Sequence, residues 1–394
     1  MPGAGRGGIA VGILLTALVA LGQVSTSIYM PSLPSLTAAL GATQQQESFT
    51  LGAFLLGFAP AQLLLGSLSD RFGRRPVLFA GLATYILASL GCALAPSIGA
   101  LIAARCLQGM AACTGPVLSR AIVRDVYGPD RSATVLAYIG AALAISPAVA
   151  PIIGGYLQLW FGWRAGFVFL VIFGVIVTTA AYRLLGETLP PGQRAGSGLI
   201  AGYRAIITDR GFWAYVLVIA FIFSGLMTYT VGSPFVFMGL LGLAPQEYGM
   251  LAIFPVSGYL AGSLTAGRLS RRVGIDRLLV GGLALCMIGG SSLAITTLDG
   301  TAGIISILAP MAVFTAGMGL CFAAGIAGAM AAFPQVAGAA SALLGFVQMA
   351  AAGGTTTLFG LFQAATPRPM GLTVATCAVA AVVSYLLLRP RRRA

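Results

Sequence analysis

The sequence of 394 residues has no histidine, and its 22 basic residues are all arginine, with no lysine among them. Without imidazole, His-dependent catalysis and His-ligated metal sites are excluded outright. Acids are scarce as well, nine in all, and charged residues of both signs make up 8% of the chain. Soluble domains carry about 25%, so no water-facing surface of ordinary polarity can be assembled from this composition. The solvent must mostly be lipid. Cys92, Cys106, Cys113, Cys286, Cys321 and Cys377 all fall within apolar runs, without the paired spacing that marks zinc sites or disulfide frameworks. They read as small core residues, and no cofactor is expected.

What the chain has instead is hydrophobic length, with 58% of its residues apolar. A bilayer core about 30 Å thick takes roughly 20 apolar residues per helix. Runs of that length predict spans over 9–31, 48–67, 77–95, 98–123, 132–156, 165–184, 212–233, 248–267, 277–297, 302–330, 339–364 and 370–388. The fold class expected is all-α, a polytopic membrane protein of twelve transmembrane helices. Residues 1–27 have the small residues and apolar stretch of a signal peptide. The apolar run continues through Tyr29 and Met30, however, so this segment is read as the first span.

The formal net charge of +13 would suit a nucleic-acid partner if it formed a stripe on a polar face. Instead, eighteen arginines occupy the termini and the loops 66–76, 124–131, 183–210 and 268–277, while the opposite loops hold only Arg164 and Arg368. That asymmetry orients membrane helices. It argues against nucleic acid and predicts cytoplasmic termini.

The longest connection, rich in Pro, Gly and Arg, falls at the midpoint. The expected organisation is a six-helix bundle over 1–186, a cytoplasmic linker over 187–210 and a second six-helix bundle over 211–394. Duplication is also visible in the loops. Gly66-Ser-Leu-Ser-Asp-Arg-Phe-Gly73 and Gly267-Arg-Leu-Ser-Arg-Arg-Val-Gly274 share five of eight residues at an offset of 201. Two pseudo-symmetric bundles with a site between them near the bilayer midplane are the plan of alternating-access transporters.

The loop from Gly66 to Pro76, with Asp70, Arg71, Gly73 and Arg74, resembles the cytoplasmic signature of the major facilitator superfamily. Its glycines permit a tight turn, its arginines hold the loop at the anionic lipid surface, and Asp70 can pair with arginines or sit at a helix N-terminus. The resemblance implies that Asp70 locks the cytoplasmic side by meeting the start of the eleventh helix, near Gly338 to Ser341. Arg105-Cys-Leu-Gln108-Gly109 resembles the family's fourth-helix arginine motif. Pro147, Pro151 and Gly154 in the fifth helix resemble the antiporter signature of drug exporters, with Gly258 and Gly262 offered as the complementary surface. Residues 25–34, 120–127 and 162–167 together resemble the bicyclomycin and chloramphenicol resistance transporters. The resemblance, with the lysine-free composition of a GC-rich genome, implies the inner membrane of a bacterium.

Counting about 1.5 Å per residue puts Arg105 roughly 10 Å into the apolar layer, where a charge is by default turned inward and functional. Gln108 lies one turn along the same face. Helical spacing adds Gln23, Ser27, Met30, Thr228 and Gln348 to the expected substrate-binding lining, with Tyr138 as aromatic surface. Trp160 and Trp163 read as interface anchors. The resemblance also implies an aspartate where Ser27 stands, so a proton carrier must be sought at a membrane edge, with Glu47 and Asp125 as candidates. A cavity with Arg105 as its main charge favours neutral or anionic cargo. The function expected is export of small molecules such as amphenicol-like antibiotics by proton antiport, with an uncoupled facilitator or metabolite exporter as the alternative. A membrane-embedded enzyme would need an acid, thiol or metal constellation at one depth, and none is visible. The expected partners are a small-molecule substrate, membrane lipid and protons, with the chain acting as a monomer.

Overall fold

The computed structural model describes residues 6–189, 199–362 and 366–389. Among them, twelve helices are long and apolar enough to cross a membrane: α1 (Ala10–Ala39), α2 (Gln44–Phe72), α3 (Arg74–Ala93), α4 (Ile98–Tyr127), α5 (Tyr138–Phe161), α6 (Arg164–Leu184), α7 (Arg210–Leu240), α8 (Pro245–Ser270), α9 (Ile275–Leu298), α10 (Ile304–Ala331), α11 (Ala337–Phe362) and α12 (Arg368–Leu388). Helix is the only open-ended solution in lipid, because each segment must satisfy its own backbone groups. All twelve expected spans appear, most of them longer than their apolar runs.

Local chemistry sets the ends. Thr43 and Gln46 form a reciprocal capping box at the start of α2, with backbone-to-side-chain bonds of 3.0 and 3.3 Å. Ser97 caps α4 through the Ala100 N–H at 3.3 Å, and Asp209 caps α7 through the Phe212 N–H at 2.6 Å. In the duplicated loops, Gly73 and Gly274 both adopt φ values open to glycine, 101° and 84°, and their N–H groups close the preceding helices on Ser69 and Ser270. The repeat is therefore a repeat of backbone conformation. Just beyond each glycine the copies diverge. Arg75 lies over the rings of Phe79 and Tyr182 at 5.5 and 5.3 Å, whereas Asp276 accepts the hydroxyls of Tyr215 and Tyr385 at 2.8 and 3.4 Å.

Three segments differ from the sequence expectation. α1 is broken by a tight turn at Met30–Ser32, where Pro31 lacks a donor, and resumes as Leu33–Ala39. The chain is helical without interruption from Thr114 to Phe161, where a loop is expected. It bends sharply there: the Ser132 hydroxyl lies 3.4 Å from the Val123 carbonyl, nine residues earlier, a separation of about 13 Å in a straight helix. The linker carries a short helix, Leu199–Ile207, whose Ile206 is buried.

Six spans lie on each side of the linker, and the halves meet along two seams, α2 with α11 and α5 with α8. Close glycine contacts run along the seams: Gly345 of α11 meets Gln62 of α2 in the half nearer the arginine-rich loops, and a larger set falls at the far end. There Gly360 lies against Ser48, Gly353 against Leu56, Gly155 against Pro245 and Gly249 against Pro151, so that any added methyl would collide. Small residues let backbones approach closely in lipid. At the arginine-rich end the contact is looser, with Gly338 facing open space and Arg120 of α4 donating to the Ser341 hydroxyl of α11 at 3.1 Å.

Candidate functional site

A cavity of about 370 Å³ lies between the halves, within the range that holds drug-sized ligands. α1 supplies Gln23, Thr26, Ser27 and Met30, α5 supplies Gly140, Pro147 and Pro151, and α11 supplies Gln348 and Met349. The other walls are largely apolar and aromatic: Phe223, Leu226, Met227, Tyr229 and Thr230 of α7, Tyr248, Pro255 and Tyr259 of α8, and Met318 and Phe322 of α10. No acidic or basic side chain is part of this lining among the described residues. Met30, Met227, Met318 and Met349 give it soft, adaptable walls.

The structure brings Gln23, Ser27, Met30 and Gln348 together at the cavity and places the remaining binding candidates elsewhere. Thr228, with Ser224, returns its hydroxyl to the carbonyl one turn back, at 3.0 and 2.8 Å, and is fully buried. Such residues satisfy themselves without a cavity, so α7 turns the neighbouring face inward. Tyr138 is 74% exposed and outside the lining. It precedes the cavity-facing Gly140 by two residues, which is about 200° around a helix and thus the opposite face. Trp163 is buried under Arg164 at 4.2 Å rather than anchored at an interface. Tyr229, an aromatic expected from the sequence, does line the cavity, whereas Phe223, Met227, Tyr248, Tyr259, Met318 and Phe322 carry no polar periodicity that marks them as inward-facing.

Arg105 is where structure and sequence expectation part most clearly. It is fully buried, but its guanidinium points into the first bundle and not into the cavity. It lies 4.4 Å from the ring centres of both Tyr29 and Phe54 and 6.0 Å from that of Phe167. Nη1 donates to the Ser25 carbonyl at 3.1 Å and to Gln108 Oε1 at 2.5 Å. Gln108 passes the connection to Ser89 at 2.7 Å, and Ser25 meets the Tyr85 hydroxyl at 2.6 Å. The group thus ties α1, α2, α3, α4 and α6 together. In place of a carboxylate, the ring faces and carbonyl dipoles stabilise the charge. The expected positive cavity becomes a neutral one.

At the arginine-rich end, Asp70 pairs with Arg74 at 2.5 Å, and Arg74 Nε reaches Asp125 at 3.1 Å. Arg71 rests over Phe72 at 5.3 Å. Among the described residues no hydrogen bond or ion pair joins Asp70 to the start of α11; its partner, Arg74, lies within its own half. Glu187, just past α6, accepts the N–H groups of Arg74 and Arg75 at 2.9 and 3.2 Å, capping α3, and that of Leu189 at 3.0 Å. Burial pushes its carboxyl up, but the N–H groups of Leu189, Arg74, Arg75 and Thr188 outweigh that and hold it below the usual range. Asp125 also accepts the Thr188 hydroxyl at 3.1 Å, so the cluster pins the linker to the loop.

Glu47 is set apart from the other acids. It lies in the first turn of α2, 4% exposed, where Oε2 accepts the Thr37 hydroxyl at 2.8 Å and Oε1 has no partner. In α5, Gly154 packs on the Ile28 carbonyl of α1, and Pro151 and Gly155 fit the start of α8 at Gly249 and Pro245. The expected complement, Gly258 and Gly262, instead faces Ala312 and Ala316 of α10 within its own half.

This geometry can be compared with known proteins. The profile of the Major Facilitator Superfamily matches residues 15–357. The chain is 30% identical to Multidrug resistance protein D of Escherichia coli (strain K12), covering 96% of this chain and 95% of that one. It is 31% identical to the Chloramphenicol resistance protein of Pseudomonas aeruginosa, over 84% and 79%. Among solved structures, it superposes on a D-xylose-proton symporter with a TM-score of 0.79 at 16% identity, covering 98% of each chain. A bacterial homolog of the human lysosomal transporter Spinster gives a TM-score of 0.76 at 17% identity, over 98% and 97%. The chain belongs to the Major Facilitator Superfamily, in its branch of multidrug and antibiotic resistance transporters, and is a multi-pass inner-membrane protein that moves small molecules by secondary transport.

Proposed function

We propose that the protein exports uncharged amphiphilic molecules that carry an aromatic ring, amphenicol-like antibiotics among them, from the cytoplasm in exchange for protons. The carrying observation is the cavity wall, which among the described residues offers amide and hydroxyl groups, four methionines and aromatic faces without a charged side chain. A cationic cargo would lose its hydration there for no counter-charge, and an anionic cargo likewise. The names of the relatives support the same reading: two are resistance proteins for multiple drugs and for chloramphenicol, and a third, 27% identical, is a bicyclomycin resistance protein homolog of Haemophilus influenzae. In this reading the arginine-rich end is cytoplasmic, the linker joins two bundles that rock about the cavity, and the chain works as a monomer in lipid. Pro151, with Gly155, holds the closed seam, Gly154 seats α5 on α1 behind it, and Pro147 faces the cavity, while Asp70, Arg71, Gly73 and Arg74 shape the loop that engages the other half in the opposite state.

A second reading, an uncoupled facilitator, is favoured by Ser27, since it leaves the cavity without a carboxylate. Proteoliposomes loaded with radiolabelled chloramphenicol, with and without an imposed pH gradient, separate the two. Antiport requires faster release when the outside is acidic, and flux indifferent to the gradient selects the facilitator. Strong preference for a lipophilic cation such as ethidium over chloramphenicol would overturn the cargo class.

A further inference from the structure

Antiport needs a protonatable group whose charge is felt by the seam that opens, and among the described residues the cavity lining contains no carboxylate. We propose that Glu47 is that group: neutral, it permits the seam far from the arginine loops to close, and its deprotonation forces that seam open. The inference rests on the exchange of cargo for protons proposed above and assigns it to a residue.

Three observations carry it. The carboxyl is buried, and one of its oxygens lacks any hydrogen-bond partner. Its position is at the seam itself: the next residue, Ser48, packs against Gly360 of α11, and Tyr248 of α8 lies within electrostatic range. Tyr248 also lines the cavity, so the charge on the carboxyl is felt by a residue of the cavity wall. The third observation is the absence of compensation. Tyr29 and Thr37 face it from α1, Tyr248 from α8, and no ionisable side chain of α11 is in reach. Glu247, beside Tyr248, turns its carboxylate to the Ala244 N–H at 2.8 Å. Arg105 is committed over the Tyr29 ring, and no ion pair involves Glu47 among the described residues.

A carboxylate in that place would be charged, dry and unpaired, which is strongly unfavourable; a carboxylic acid would be tolerated. Coupling follows from this difference. With the seam open, the carboxylate is wet and takes a proton from the outer phase. The neutral acid then allows closure. When the cavity faces the cytoplasm the proton leaves past Tyr248, and the resulting anion raises the energy of the closed seam until it opens with cargo aboard. One proton enters from outside and one leaves inside per cycle. Asp125 does not fit the role, since Arg74 and Thr188 hold it at the arginine-rich end.

The test needs no cargo. Nitroxide labels on Gln45→Cys and Leu361→Cys, both exposed at the rim of this seam, report its opening by electron–electron distance measurement in a background lacking the native cysteines. Between about pH 5 and about pH 9, spanning the range of buried carboxyls, the wild type shifts several-fold toward the long distance as pH rises. Glu47→Asp keeps that response, and Glu47→Gln stays closed throughout. Thr37→Val, which removes the hydroxyl donated to the charged form, moves the transition to higher pH. A wild type blind to pH, or a Glu47→Gln variant that still responds, overturns the proposal. If the seam answers to pH through Glu47 but chloramphenicol flux ignores the gradient, the antiport reading fails and the Glu47 switch stands.

Discussion

Replacing Arg105 tests whether a buried charge can be structural in a transporter. Its two hydrogen bonds come from a cation, each worth about 1.5–3 kcal/mol, and the two ring contacts at 4.4 Å add about 1–2 kcal/mol each when desolvated. The gross loss in Arg105→Ala is therefore on the order of 5–10 kcal/mol. Against it stands the relief of no longer burying a guanidinium whose Nε and Nη2 find no partner, worth several kcal/mol. The net is a destabilisation of about 2–4 kcal/mol, since removing one member of a buried network strands Gln108 and the Ser25 carbonyl. Thermal unfolding in detergent should fall by several degrees, and membrane yield with it. Arg105→Lys fares no better, because an ammonium keeps the desolvation but not the planar fork that faces two rings. Transport per folded molecule keeps its KM and its preference between chloramphenicol and an anionic probe. Normal stability combined with altered cargo preference would refute this reasoning and return Arg105 to the cavity.

Three further outcomes follow from other parts of the structure. Gly154→Ala drives a methyl group into the Ile28 carbonyl of a neighbouring backbone, so folded yield in membranes drops at least several-fold. Gly140→Ala, where nothing lies within 4 Å, keeps wild-type yield, and equal yields would contradict the close α1–α5 contact. Ser27→Asp puts a carboxylate into a neutral cavity and should raise ethidium efflux several-fold, read from cell accumulation; unchanged accumulation would mean Ser27 does not meet the cargo. Glu187→Gln removes the cap on α3. The carboxyl is held below its ordinary pKa in the folded state, so its contribution is present at neutral pH and lost as pH falls below about 4. The gap in unfolding temperature between wild type and Glu187→Gln should narrow over that range, and a gap independent of pH would show the cap is not ionic.

The fold was legible because lipid simplifies the code. Twenty apolar residues between arginine loops leave one structure that satisfies the backbone, and the Gly73 and Gly274 turns announce the duplication by identity and spacing. Position around a helix axis was less legible. Gln23, Ser27, Met30 and Gln348 reach the cavity, but Thr228 shows that a hydroxyl can be satisfied by its own helix and so carries little information about direction. Arg105 was readable as buried and not as to what surrounds it, because the rings of Tyr29, Phe54 and Phe167 come from three other helices. The partner of the Pro147–Gly154 segment was misplaced for the same reason: small residues occur in many membrane helices, and only assembly decides which pairs meet.

The divergence at Arg75 and Asp276 has a mechanical consequence. A cation above a ring is held by a broad, shallow attraction and can slide across the aromatic face, whereas a carboxylate between two phenols is fixed in direction by its hydrogen bonds. The Arg75 side chain is thus free to shift over its rings while its backbone N–H stays on Glu187, whereas around Asp276 it is the side chain itself that fixes the contact.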